Sequence, residues 1–117
     1  MTSYQLVMPE HMNHYGFLFG GNLLKWVDEI AWMAVSQDYP DGHFVTIGMD
    51  QVVFKKSVTL GSILRFEIHR IREGNTSVQY SVEVCRRELH ATGEDLIFHT
   101  DITFVRVNDE GKKVPLH

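Results

Sequence analysis

Asn22-Leu23-Leu24-Lys25-Trp26-Val27-Asp28-Glu29-Ile30-Ala31-Trp32-Met33-Ala34-Val35-Ser36 reads as a helix in a chain otherwise patterned for strands. Leu23, Leu24, Val27, Ile30, Ala31 and Ala34 recur at helical spacing and form one apolar stripe. Trp26, Trp32 and Met33 make the rest of the surface apolar as well, leaving only Lys25, Asp28 and Glu29 charged. A helix that is hydrophobic nearly all round is normally buried. Gly20 and Gly21 mark its start with Asn22 as N-cap, and Asp38-Tyr39-Pro40-Asp41-Gly42 stops it.

Beyond that turn the period changes from helical to alternating. Phe44 to Phe54 is rich in β-branched and aromatic residues, with Val45, Ile47 and Met49 on one side. Leu64, Phe66 and Ile68 alternate with Arg65, Glu67 and His69, and Val78, Tyr80, Val82 and Val84 with Ser77, Gln79, Ser81 and Glu83. Leu96, Phe98, Ile102 and Phe104 alternate with His99, Asp101, Thr103 and Val105. Such alternation predicts antiparallel strands with one buried face and one wetter face. Leu60-Gly61-Ser62, Glu73-Gly74-Asn75 and Ala91-Thr92-Gly93 supply the turns between them. The predicted order is a loop or short strand, one buried helix and four long strands. The class is therefore α+β, a single domain over residues 1–117, in which a curved antiparallel sheet covers the helix. One sheet covers only one side of a helix, so the other side and the sheet edges await a second copy of the chain.

The 117 residues suffice to bury a core without disulfides, and the single cysteine, Cys85, has no partner within the chain. Hydrophobic residues at 44% and charged residues at 22% are ordinary globular usage, which excludes disordered and fibrous classes. No apolar run is long enough to span a bilayer, and Met1 to Gln5 lacks the basic start of a secretory signal. A cytoplasmic protein that does not engage a membrane is expected. The formal net charge of -4 argues against generic nucleic-acid binding.

Two features could carry chemistry. Gly20 and Gly21 at the helix start would let a ligand approach the backbone, where free N–H groups and the helix dipole suit a polarised carbonyl. Equally, they could simply turn the chain into a buried helix. Asp28 shares a helical face with Gly21, Leu24, Ala31, Trp32 and Val35, where a carboxylate is costly unless paired, hydrated or functional. The alternative is a solvated helix edge, which fits Glu29 better because Lys25 lies one turn before it. The seven histidines show no zinc-ligand spacing, and no metal site is expected. Lys55-Lys56, Arg70 with Arg72, and Arg86-Arg87 are either solvated sheet edges or a rim for anionic phosphates.

Taken together, Asn13, Gly16, Phe19-Gly20-Gly21 and Val27-Asp28-Glu29 resemble the hot-dog-fold acyl-CoA thioesterases. The nearest branch is that of bacterial short- and medium-chain enzymes and the cytosolic and brown-fat acyl-CoA hydrolases. Phe44-Val45-Thr46, Phe54, Gly74-Asn75-Thr76-Ser77 with Val82-Glu83-Val84, and Thr103-Phe104-Val105 follow in the order that family shows. The chain departs from it at Lys55-Lys56-Ser57-Val58, where many relatives carry a proline, and at Gly61-Ser62, where Gly-Asp is favoured.

The resemblance implies a long helix wrapped by a curved antiparallel sheet. It also implies a homodimer as minimal unit, within a tetramer or hexamer, with active sites at the dimer interface. It makes Asp28 the catalytic carboxylate, acting as general base or nucleophile, and Asn13 a loop residue supplied from the opposite subunit. Gly20 and Gly21 become the glycines whose amides face the thioester carbonyl. Gly74, Asn75, Thr76 and Ser77 become a turn that contacts the CoA portion, with Lys56 and Arg86 on the basic rim. The implied reaction is hydrolysis of an acyl-CoA to a carboxylic acid and CoA, with no cofactor beyond the CoA of the substrate itself. Aryl-CoA or acyl-carrier-protein thioesters are the rival substrates, and a non-catalytic acyl-CoA binding module is the rival class.

Overall fold

The computed structural model describes residues 1–117. Its elements are β1 (Thr2–Leu6), a 3-10 turn (Pro9–His11), α1 (Gly20–Asp38), β2 (His43–Phe54), β3 (Ile63–Glu73), β4 (Ser77–Arg87) and β5 (Asp95–Val107). The strands form one antiparallel sheet in the order β1-β3-β4-β5-β2, so β1 and β2 are its edges. The α+β expectation of a helix held in a curved sheet is met. The segment at Met1 to Gln5 is a strand rather than a loop, because it pairs with β3 from Thr2↔Glu67 to Leu6↔Ile63.

The core is the meeting of one helix face with one sheet face. Leu23, Val27, Ile30, Ala31, Ala34 and Val35 are the buried residues of α1. They pack against Leu64, Phe66 and Ile68 of β3, Val78, Tyr80, Val82 and Val84 of β4, and Phe98, Ile102 and Phe104 of β5. Period two on the strands and period near four on the helix are thus what bring these side chains together. Part of α1 is left uncovered: Trp32 and Met33 are 48% and 42% exposed. A helix apolar nearly all round is therefore buried on one side only within a single chain.

Two strand assignments need correction, and β-bulges are the reason. Along β2 the register shifts between Thr46 and Gly48 and again between Asp50 and Val53, where Gln51 adopts φ 55°. Each inserted residue flips the faces that follow. Phe44 and Thr46 face the helix, then Met49, then Phe54, so Met49 does not share a face with Val45. The carbonyl of Asp50, freed by the second bulge, accepts a hydrogen bond from the buried Thr100 hydroxyl at 2.9 Å. In β5 the shift between Val84 and Cys85 does the same. Leu96 pairs with Cys85 and leaves the core face, while Ile97, 1% exposed, takes the inner place.

The helix start also differs from expectation. The N-cap is Phe19, and Gly20 and Gly21 lie inside the first turn. Asn22 does not cap the helix, because its side-chain amide donates to the carbonyl of His11 at 2.9 Å. It fastens the incoming loop to the helix instead.

Candidate active site

Asp28 sits two turns into α1, at the edge of the buried stripe. Its Oδ1 accepts a hydrogen bond from the Thr46 hydroxyl at 2.6 Å, a contact between the helix and the bulged edge strand. Asp28, Glu29, Trp32 and Met33 line a cleft of about 340 Å³. Glu29 is the solvated carboxylate of the pair, lying 3.8 Å from Lys25 one turn earlier. Asp28 is the one held in place beside an apolar wall. Thr46 was not among the sequence-derived site residues. Its sequence signal is its place in Phe44-Val45-Thr46, a segment of the resemblance to which no role attached, and the hydroxyl gains meaning once the strand is docked on the helix.

The helix start supplies donors. Phe19 offers no side-chain cap, and the amides of Asn22 and Leu23 both turn back to the Phe19 carbonyl at 3.0 and 3.4 Å. The amides of Gly20 and Gly21 make no hydrogen bond within the protein. A Cβ at position 21 would come within 2.6 Å of the Phe19 ring and would require that exposed ring to move. Two unpartnered N–H groups at a helix start are the kind of donor a carbonyl oxygen or oxyanion requires.

Asn13 stands near them. Gly20, Leu23, Phe54 and Lys55 line the same cleft as Asn13, with a volume of about 360 Å³. Its side-chain oxygen accepts from the amides of Tyr15 and Phe17 at 2.9 and 3.2 Å, which leaves the side-chain NH2 as its unused donor. Within one chain this cleft and the Asp28 cleft are separate. Gly21 and Asp28 are about 10 Å apart along the helix axis, so one carbonyl cannot touch both in the same copy.

The remaining sequence-derived residues fall into two groups. Gly74, Asn75, Thr76 and Ser77 form the β3–β4 turn, closed by the Gly74 amide on the Ser77 carbonyl at 2.7 Å. The carbonyls of Asn75 and Thr76 hold the amides of Leu116 and Arg106. Gly74 and Ser77 border a polar hollow with Arg72, Gln79, Thr103 and Asp50 on the outer face of the sheet. Lys56 and Arg86, by contrast, both grip Asp95, at 2.7 and 3.1 Å. Arg86 also donates to the Ser57 carbonyl and pairs with Glu88 at 3.2 Å. Its guanidinium is fully engaged in tying β4, β5 and the β2–β3 connection together.

That clamp has a pH signature. The hydrogen bond from Lys56, supported by that from Arg86, holds the Asp95 carboxyl below the usual carboxylate range against the opposing effect of burial. A depressed folded-state pKa stabilises the fold above the ordinary carboxylate pKa, and the contribution disappears as pH falls through the folded value. Asp95→Asn is therefore expected to melt below wild type at neutral pH. The difference should shrink below about pH 4, where the unfolded-state carboxyl protonates. Melting curves taken across that range check it, and equal melting at neutral pH would contradict it.

Comparison with known proteins fixes the lineage. Residues 15–92 match the family model of the thioesterase superfamily. This chain belongs to that superfamily. Within the superfamily it is 29% identical over 110 residues to an uncharacterized acyl-CoA thioester hydrolase of Bacillus subtilis, covering 94% of this chain and 63% of that protein. The first curated relatives are matched over 17% to 63% of their own length. Among solved structures, an acyl-CoA hydrolase of Staphylococcus aureus in complex with butyryl coenzyme A superposes with a TM-score of 0.89 at 29% identity. That match covers 98% of this chain and 70% of the other. A hexameric thioesterase of Yersinia pestis gives 0.90 at 26% identity, covering 98% and 93%. The hot-dog architecture is thereby shown.

The staphylococcal hydrolase has also been solved as alanine variants of an aspartate, of an asparagine 15 residues before it and of a threonine 17 residues after it. Here Asn13 precedes Asp28 by 15 residues and Thr46 follows it by 18.

Proposed function

We propose that this chain hydrolyses acyl-CoA thioesters to a carboxylic acid and free CoA. The observation that carries the reading is Asp28, a carboxylate held by Thr46 at the mouth of an apolar cleft in a thioesterase-superfamily fold. The unpartnered amides of Gly20 and Gly21 supply the complementary half. They stabilise negative charge on the thioester oxygen as the carbonyl becomes tetrahedral. Asp28 takes a proton from the attacking water, or itself attacks to form a mixed anhydride that water then opens. In either route the CoA thiolate leaves and is protonated.

Because amides and carboxylate of one chain are two helical turns apart, the reading requires two copies. Asp28 of one copy meets the helix start and Asn13 loop of the other. The structure of a single chain supports this through its uncovered surfaces. Edge strand β2 exposes Val45, Ile47, Val52, Val53 and Phe54, and α1 exposes Trp32 and Met33. Apolar edges of this kind call for a partner. The hexameric assembly of the Yersinia relative supports a homo-oligomer built on such a dimer. On the CoA side, Lys55 and Arg72 make no ion pair and are free to meet phosphate, Lys55 beside Asn13 and Arg72 beside the Gly74–Ser77 turn.

The test is thiol release from a panel of aliphatic and aromatic CoA esters. Saturable release from aliphatic esters supports the assignment, and CoA-ester binding with no release from any of them replaces it with a binding module. Thr46→Val provides a second check. It keeps the shape of the strand and removes the donor to Asp28, a charge-assisted hydrogen bond. Turnover should fall about tenfold, the effect of roughly 1.4 kcal/mol on the barrier. Unchanged turnover would remove Thr46 from the site.

A further inference from the structure

The apolar cleft that touches Asp28 has Trp32 and Met33 as its far wall. Trp32 lies at i+4 from Asp28, one turn further on and on the same helical face. Its indole, half exposed, is tethered by a single hydrogen bond: Nε1 donates to the carbonyl of Phe44 at 3.3 Å. The same strand fixes Asp28 through Thr46. Helix and strand are thus joined by two rungs, Asp28–Thr46 and Trp32–Phe44. Four residues of helix advance about 6 Å and two residues of strand about 6.8 Å, so the rungs match. Phe44 is itself buried and packed at a tilt against Tyr39, 5.5 Å between ring centres.

From this geometry we infer that Trp32 is the floor of the acyl pocket and restricts the enzyme to short acyl groups. The inference rests on the hydrolase reading and deepens it by naming the substrate class. A thioester carbonyl placed at Asp28 sends its acyl chain into the cleft between Asp28 and Trp32. One helical turn leaves room for roughly four carbons before the chain meets the indole. A longer chain has to displace a ring held by its own hydrogen bond, or leave the cleft for water. Met33 is adaptable and could move aside. Trp32 is tethered, which makes it the residue that sets length.

The deciding experiment compares kcat/KM for butyryl-CoA and dodecanoyl-CoA in wild type, Trp32→Ala and Trp32→Phe. Using the ratio of two esters on one preparation cancels any loss of active protein, so a fall in stability or assembly does not imitate the effect. Wild type is expected to favour the short ester. Trp32→Ala should shift the ratio toward the long ester by tenfold or more, since each methylene accepted by an apolar pocket is worth about that. Trp32→Phe, which keeps a ring but loses the hydrogen bond, should shift it less. A ratio unchanged in Trp32→Ala, or a wild type that prefers the long ester, overturns the inference. If wild type cleaves neither ester, the hydrolase reading fails on its own. The floor is then decided by calorimetric affinities for the same two esters: a ratio that moves in Trp32→Ala upholds it, and one that does not overturns it.

Discussion

Asp28→Asn should leave a folded protein that releases thiol from CoA esters about 10²- to 10⁴-fold more slowly than wild type, the range lost with a positioned acid–base group. The substitution is close to isosteric. The amide oxygen of Asn can still accept the Thr46 hydroxyl that Asp28 Oδ1 accepts at 2.6 Å, so the helix–strand rung survives. What disappears is the capacity to take a proton from water or to attack a carbonyl. The two routes open to Asp28 lose equally, so the rate alone does not separate them. A single turnover in ¹⁸O-labelled water followed by mass spectrometry separates them where label reaches the enzyme. Label on the Asp28 carboxylate reports a mixed anhydride opened at the enzyme carbon. The melting temperature and the apparent size of the oligomer should match wild type, which distinguishes lost chemistry from lost structure. Turnover near the wild-type rate would displace Asp28 from the mechanism and leave the helix-start amides as the main contributors.

Much of this arrangement is legible in the sequence, for physical reasons that differ by element. The α1 stripe and the β3 and β4 alternations are regular, so periodicity alone identifies which side chains meet. β2 and the start of β5 are not regular. A bulge leaves no mark in composition, and each one reverses the faces beyond it, which is why Met49, Leu96 and Ile97 are misplaced by simple alternation. Asn22 illustrates a different limit. Its residue type suits an N-cap, but the loop carbonyl of His11 lies within reach and captures the side chain. No local rule contains that carbonyl.

The site shows the same division. Asp28 and the two glycines are recognisable because a carboxylate on an apolar helical face and paired glycines at a helix start are unusual. Thr46 is not, since its role exists only through a contact between residues 18 positions apart. Lys56 and Arg86 show the converse. A run of cations suggests a phosphate rim, but the fold brings Asp95 between them and engages both. Sequence reveals which groups are charged, and the register of β4 on β5 decides which of them remain free.

The largest loss of stability is expected from Phe98→Ala. Phe98 lies on a strand with neighbours on both sides, opposite Val84 on β4 and Phe54 on β2, and is fully buried. Truncating a buried Phe removes its transfer free energy and leaves a cavity the packed sheet cannot close, about 3–5 kcal/mol together. Set against a typical total of about 5–15 kcal/mol, that places the variant near the edge of folding at ambient temperature. Denaturant unfolding at one fixed protein concentration measures it, because any assembly would make apparent stability depend on concentration. Phe54→Ala is the internal comparison. Its ring packs edge-on against Phe98 at 5.0 Å between centres but is 51% exposed in the single chain. Less of it is removed from water, so its truncation should cost well under half as much. If the two variants prove equally damaging, Phe54 is covered in the working protein. The exposed half of its ring would then belong to the contact between copies that the proposed reading requires. If Phe98→Ala unfolds like wild type, the inner face of β5 is not the centre of the core, and the placement of α1 upon it fails with it.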